Sequence, residues 1–282
     1  MSAIMESMGH QSWLFLGALA AFPTAAGAYG LVSINKGGRW LRTLASLLIL
    51  VGFAFATAQI TTRWIEAGRP PFKSLYESLL LFVWCTAVLH LAVERFYRIS
   101  WFGFMSAGFM FIVMCYAVIK TDAEIVNLPA ALQSVWFVPH VVVYFFGYAA
   151  IFFAFVAAVL HLWQPTTKLQ LRKAGGGTAE VTYAGFMHLA ILFGFVLLTA
   201  GLVIGAIWAK SAWGDYWVWD PKENWALVSW LLFVVYLHLR YTKGFEERNA
   251  AILAIVGFAA IVFTYLGMHL LPTAEQSAHV YQ

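Results

Sequence analysis

Charge is what this chain has least of. Of its 282 residues 11% are charged and 62% hydrophobic, whereas a soluble globular domain carries roughly one quarter charged residues. The composition excludes a soluble domain and describes a polytopic membrane protein. Cysteine is scarce as well. Cys85 and Cys115 each lie inside an apolar stretch, and there is no Cys-x-x-Cys. A thiol relay needs exposed, closely paired sulfurs of low pKa, so both read as packing residues. No glycine-rich phosphate loop, zinc-ligand spacing or paired-carboxylate site stands out, and Gly175-Gly176-Gly177 reads as a flexible loop. No basic residue precedes the first apolar run, only Glu6, so that run does not read as a cleaved signal peptide. The net charge of +4 calls for no nucleic acid, because the basic residues are mostly topological.

Long hydrophobic runs are what the chain has in quantity. Crossing a hydrocarbon core takes about 20 apolar residues. Runs of that length fall near 12–33, 43–61, 75–93, 100–118, 135–160, 185–208, 222–240 and 250–271. The expected fold class is therefore all-α, a polytopic bundle of about eight transmembrane helices in the lipid bilayer. The gaps are short apart from 164–184, so residues 1–282 read as a single integral membrane domain without linker or internal repeat. Lys and Arg accumulate in cytoplasmic loops. With the N-terminus outside, the inner loops take Lys36, Arg39, Arg42, Arg95, Arg98, Lys168, Arg172, Lys173, Arg240, Lys243 and Arg248, against Arg63, Arg69, Lys73, Lys120, Lys210 and Lys222 in the outer ones. Both termini are thus expected outside, and so is the loop between the sixth and seventh helices.

That loop and its flanks, 208–230, crowd together Trp208, Trp213, Trp217, Trp219, Trp225 and Trp230. An aromatic belt at the membrane interface accounts for one or two rings at a helix end, not for six. Asp220 suits a helix N-cap, Pro221 the first turn and Glu223 a capping box, so these three have the structural task of starting the seventh helix. The rings have no such task. Trp217 and Trp219 share a face if their segment is extended. A shelf of aromatic faces suits a planar macrocycle, with Lys210, Lys222 and the N–H groups of the helix start placed to meet its carboxylates.

Histidine is the informative titratable residue, since an ionisable side chain at membrane depth is a functional candidate by default. Each of the eight also has a structural alternative, hydrogen bonding across a helix interface. Counting about 1.5 Å per helical residue places His140, His269 and His279 near the outer face. His238 comes out about 25 Å down the seventh helix from Pro221, and His90 is similarly deep on the third. Outer imidazoles beside an aromatic shelf fit a tetrapyrrole and its iron.

The segment Trp213-Gly214-Asp215-Tyr216-Trp217-Val218-Trp219-Asp220-Pro221-Lys222-Glu223-Asn224-Trp225 resembles the tryptophan-rich WWD signature of the heme-handling proteins of cytochrome c maturation. Three further stretches are similar to one branch, the CcsA/ResC type: Ser74-Leu75-Tyr76-Glu77-Ser78-Leu79, the segment from Leu132-Gln133-Ser134 through His140 to Tyr148, and Tyr236-Leu237-His238-Leu239-Arg240. The resemblance implies that His140 and His279 are the axial ligands of an external heme, and that His238 belongs to an inner heme site whose other ligand comes from a CcsB/ResB-type companion. His90 is an in-chain rival for that second inner ligand. The family form G-x-H-S-Y-G is replaced here by Ser277-Ala278-His279-Val280-Tyr281, which makes His269 the fallback for His279. Trp213, Trp217, Trp219, Trp225 and Asp220 are the implied heme-contacting positions.

The resemblance also implies the chemistry. Heme b enters on the inner side at His238, passes outward and lodges under the Trp-rich loop. There the cysteines of an apocytochrome c Cys-x-x-Cys-His segment add across its vinyl groups, making the chain a holocytochrome c synthase that works with its companion. The protein contributes positioning and redox control, the cofactor the reactive carbons, so no catalytic general base is expected. A thiol-reducing, thioredoxin-like protein is a further implied partner, and a bacterial inner membrane or thylakoid-like membrane the implied location. Two alternatives stay open, a heme exporter or chaperone without ligase activity and a cytochrome b-like bis-histidine electron carrier.

Overall fold

A computed structural model describes residues 12–34, 37–97, 99–120, 124–125, 127–172, 177–242 and 244–267. Among the described residues there are eight long α-helices: α1 Ser12–Ser33, α2 Arg39–Ala67, α3 Leu75–Phe96, α4 Ser100–Lys120, α5 Phe137–Trp163, α6 Tyr183–Trp213, α7 Pro221–Arg240 and α8 Glu247–Leu266. The expected eight-helix architecture is present. Seven of the helices are long and apolar enough to cross a membrane; α7, whose first turn is Pro221-Lys222-Glu223-Asn224, is not among them. A 3-10 turn, Ala130–Gln133, precedes α5.

One segment departs from expectation. In the 164–184 gap, β1 (Lys168–Arg172) and β2 (Thr178–Thr182) pair as a two-stranded hairpin. The alternation Lys-Leu-Gln-Leu-Arg has the period of two that a half-buried strand requires; of the Gly175-Gly176-Gly177 run read as a flexible loop, Gly175 and Gly176 lie outside the described residues. Leu169 is buried while Lys168 and Glu180 form an exposed ion pair at 2.8 Å.

The chain divides into two compact units. The first takes in the described residues of 1–128 and 170–179, the second those of 129–169 and 180–282. In the first, α1 packs on α2 and α4, while α3 packs on α2 and α4. Its α3 is launched by a capping box in which Ser74 Oγ accepts the Glu77 N–H at 3.1 Å and Glu77 reaches back to the Ser74 N–H. The same carboxylate binds Arg63 Nε at 3.3 Å and Arg69 Nη1 at 3.1 Å, and all three side chains are buried. Arg63 also donates to the Glu124 carbonyl. The Ser74–Leu79 stretch is therefore a junction tying α2, the turn after it and the residues beyond α4 to one carboxylate.

In the second unit α5 packs extensively against α6 and also meets α8, which pairs with α7. Both ends of α5 thus carry side chains facing α6 or α8. The Trp-rich loop joins α6 to α7 at one end of this unit; the α7–α8 turn lies at the other.

Candidate functional site

The helices extend further into the Trp-rich region than its hydrophilicity suggests, so only 214–220 is loop. Gly214, at φ 91°, takes the left-handed conformation that ends α6, its N–H bonding to the Lys210 carbonyl. Lys210 Nζ donates to the Gly214 carbonyl and stands 5.5 Å from the Tyr216 ring centroid. At the start of α7, Asp220 Oδ1 accepts the Lys222 N–H at 2.7 Å, and Asp220 and Glu223 form the expected capping box. Glu223 Oε2 accepts from the N–H groups of both Val218 (2.9 Å) and Asp220 (3.2 Å).

Those two donors bracket Trp219, the one non-glycine residue with positive φ among the described residues, at 57°. Its carbonyl accepts from Asn224 Nδ2 at 2.9 Å. A non-glycine residue in this conformation carries strain on the order of 1–3 kcal/mol, here opposed by three hydrogen bonds from two side chains. The held indole is 68% exposed. The condition under which Trp217 and Trp219 would share a face, an extended segment, is not met at Trp219: the turn there brings their rings edge to face, 6.0 Å apart at 83°. The role of the helix-start N–H groups is corrected, since Asp220 and Glu223 already accept from them. Trp217 Nε1 is different, being buried with no hydrogen-bond partner.

At the same end, α5 begins beneath α6. His140, in the first turn of α5, places Nδ1 2.9 Å from the Gly201 carbonyl. A carbonyl only accepts, so Nδ1 carries the proton and the neutral ring keeps its lone pair on Nε2, the form an iron ligand needs. The imidazole stacks on Trp208 at 5.5 Å and 26°, and Trp208 meets Trp213 at 4.8 Å. Trp208 is fixed by its Nε1 donating to the Ala131 carbonyl at 2.9 Å. Gly205 makes this approach possible, because a Cβ there would sit 2.6 Å from His140 Cε1. Trp225 has its ring against Phe263 of α8 at 4.5 Å, and its carbonyl accepts from Thr264, so it joins α7 to α8.

The other histidines divide by environment. His279 and His269 lie outside the described residues. His238 is exposed on the face of α7 that also shows Val228, Leu231 and Val235. His90 is buried in the first unit with both ring nitrogens engaged: Nδ1 lies 2.7 Å from Ser106 Oγ and Nε2 3.2 Å from Tyr29 Oη and 3.6 Å from Glu94. Ser106 Oγ donates to the Phe102 carbonyl, so His90 Nδ1 is the donor to it. Tyr29 and Ser46 complete the network by donating to Glu94.

Sequence reasoning missed His161 and His188. His161 closes α5 and His188 lies in the second turn of α6, both at the end of the unit where α7 carries His238. Helix counting from either end would have grouped all three. The Nδ1 atoms of His161 and His188 are buried without a partner, as is the hydroxyl of Tyr236, and an unpaired buried polar group costs about 1–3 kcal/mol.

The family model described as "Cytochrome C assembly protein" matches residues 72–274, which takes in the cap of α3, His140, the Trp-rich loop and His238. The chain belongs to the cytochrome c assembly protein family. Among relatives named cytochrome c biogenesis protein CcsA, it is 31% identical to that of Mesostigma viride over 90% of both chains. It is 35% identical to that of Prochlorococcus marinus subsp. pastoris, over 84% of this chain and 82% of the relative. For Chlamydomonas reinhardtii the identity is 34%, over 88% of this chain and 72% of the relative. Membership of the CcsA type follows. Among solved structures the fold is similar to cytochrome c heme lyase CcmF, with a TM-score of 0.70 at 20% identity over 91% of this chain. The chain spans just under half of that protein, at 46%.

Proposed function

We propose that this CcsA-type protein moves heme across the membrane and, with a CcsB/ResB-type companion, attaches it to the Cys-x-x-Cys-His segment of apocytochrome c. The observation that carries the reading is His140: its Nδ1 proton is held by a backbone carbonyl, which directs the lone pair to Nε2, and its ring lies in a stack of tryptophans beside the loop. Heme b is the substrate. His140 supplies one axial ligand on the outer side and His279, or His269 in its place, the other. His238 holds the iron at the opposite end of α7, with the companion providing the second ligand from outside the exposed face. Both units act together as one heme-handling domain, N-out and C-out, in a bacterial inner or thylakoid-like membrane. A thioredoxin-like protein keeps the acceptor cysteines reduced.

In this mechanism the chain positions and does not itself bond to carbon. Trp213, Trp217 and Trp219 cover the macrocycle, and the loop excludes water from its faces. Displacement of one imidazole by the histidine of the acceptor peptide frees the product, and the thioether bonds form at the vinyl carbons of the heme.

Co-expression with the companion and an apocytochrome tests the reading. His140→Ala is expected to lose covalent attachment and to recover part of it when imidazole is added to fill the coordination position. Full attachment with an unchanged heme spectrum in that variant would remove His140 from the site. Heme that appears outside but is never attached would make the protein an exporter. Heme that exchanges electrons with quinone and never forms thioethers would make it a cytochrome b-like carrier.

A further inference from the structure

His140 is held by more than the hydrogen bond that fixes its tautomer. Gly201, Gly205 and Trp208 follow one another on α6 at intervals of four and three, which places them on one face of the helix. The imidazole meets all three. Its Nδ1 is 2.9 Å from the Gly201 carbonyl, its Cε1 would lie 2.6 Å from a Cβ at Gly205, and its plane stacks on the Trp208 indole at 5.5 Å and 26°. Tyr144, one turn further along α5, meets the same ring edge to face at 5.0 Å. It has its own seat, because a Cβ at Gly201 would come within 2.5 Å of Tyr144 Cδ2.

Trp208 is itself fixed from several sides. Its Nε1 donates to the Ala131 carbonyl at 2.9 Å, and its ring packs on Phe137 at 5.5 Å and Trp213 at 4.8 Å. Ser211, the next residue on that face of α6, hydrogen-bonds to Ser134 at 2.8 Å. The segment before α5 is thereby tied to α6 on both sides of the indole. A tryptophan of the interfacial belt keeps its polar edge at the headgroup level. Trp208 is 3% exposed and its N–H bonds to protein, so the belt does not account for it.

One hydrogen bond sets where Nδ1 points but leaves the ring able to swing about the Nδ1–oxygen line. A flat wall removes that swing. We propose that Trp208 is a positioning residue for axial ligation: it fixes the plane of the His140 imidazole, and so the direction in which Nε2 meets the heme iron. Gly205 is the seat that lets the ring lie flat against it. The proposal rests on the reading of His140 as a heme ligand and adds the group that orients it. Trp208 is separate from the rings given to heme contact and acts through the imidazole alone. A ligand whose orientation is held by locked neighbours is preorganised for the metal, and losing such a neighbour weakens affinity or activity by roughly 10–100-fold.

The test uses the full chain co-expressed with its companion and an apocytochrome. Two quantities are read: covalent attachment, and the electron paramagnetic resonance of low-spin ferric heme, whose g-values follow the orientation of the axial imidazole planes. The signal lost in His140→Ala identifies the heme concerned. Trp208→Leu, which removes the flat face, and Gly205→Ala, which pushes the ring from its seat, are each expected to shift those g-values and to lower attachment about tenfold. Trp208→Phe keeps a flat face and should stay close to the unaltered protein. In a chain that already carries His140→Ala, adding Trp208→Leu should leave heme content and spectrum as they are, because a residue acting through His140 has nothing left to act on.

Unchanged g-values in Trp208→Leu overturn the proposal; should that variant fail to fold, unchanged g-values in Gly205→Ala do so. A Phe variant as perturbed as the Leu variant shows that the flat face is not the cause and overturns it as well. A further spectral change on adding Trp208→Leu to His140→Ala makes Trp208 a heme contact instead. In each of these cases ligation by His140 still stands. If His140→Ala itself leaves every heme signal unchanged, the ligand reading falls and this proposal with it.

Discussion

Trp219 holds a conformation that its own side chain disfavours, and the reason lies in its neighbours. Glu223 receives the N–H on either side of it, and Asn224 grips its carbonyl. Asn224→Ala is expected to release one of the three restraints and let Trp219 relax toward negative φ. The loss should be about 1 kcal/mol of stability together with a shifted Soret band in the heme-loaded protein. An identical spectrum in that variant would separate the conformation of Trp219 from heme contact. His140 illustrates the same dependence on a partner. The Gly201 carbonyl selects its tautomer, and Gly205 admits its ring.

Among the elements, α3 shows how a motif can serve structure first. Glu77 accepts from Arg63, Arg69 and the backbone of Lys73 and Ser74, so its carboxylate both caps the helix and offsets buried positive charge. Breaking a buried pair from one side costs about 3–5 kcal/mol. Glu77→Gln should therefore lower the unfolding temperature of the purified chain strongly, with loss of heme only as a consequence; a melting curve that matches the unaltered protein would refute this. The box at Asp220 and Glu223 differs, because Glu223 reaches past the helix to Val218 and shapes the loop while it caps α7.

For the whole molecule, the ends of the second unit have different characters. One gathers tryptophans around a tautomer-locked histidine; the other gathers unpaired polar groups near an exposed one. His238 shares its face with Val228, Leu231 and Val235, the apolar surface to which the proposed function assigns the companion. His238→Ala is expected to reduce heme content of the purified complex, and with it all attachment, whereas His140→Ala leaves heme loading largely in place. Equal loss of bound heme from both variants would argue against two separate sites.

The sequence by itself determined the number and class of the helices, the cap of α7, the family and the position of the Trp-rich loop between α6 and α7. All of these depend on local order: apolar run length, a box closed within three residues, and a motif of contiguous side chains. It did not determine the hairpin, because an alternation of five residues is too short a signal, nor the two-unit division, since hydropathy records spans and not which spans touch. Tertiary structure alone decided the tautomer of His140, its seat against Gly205 and Trp208, and the left-handed turn at Trp219. Each of these rests on groups brought together from separate helices or loop positions, and hydrogen-bond satisfaction is a property of such contacts rather than of the order of residues along the chain.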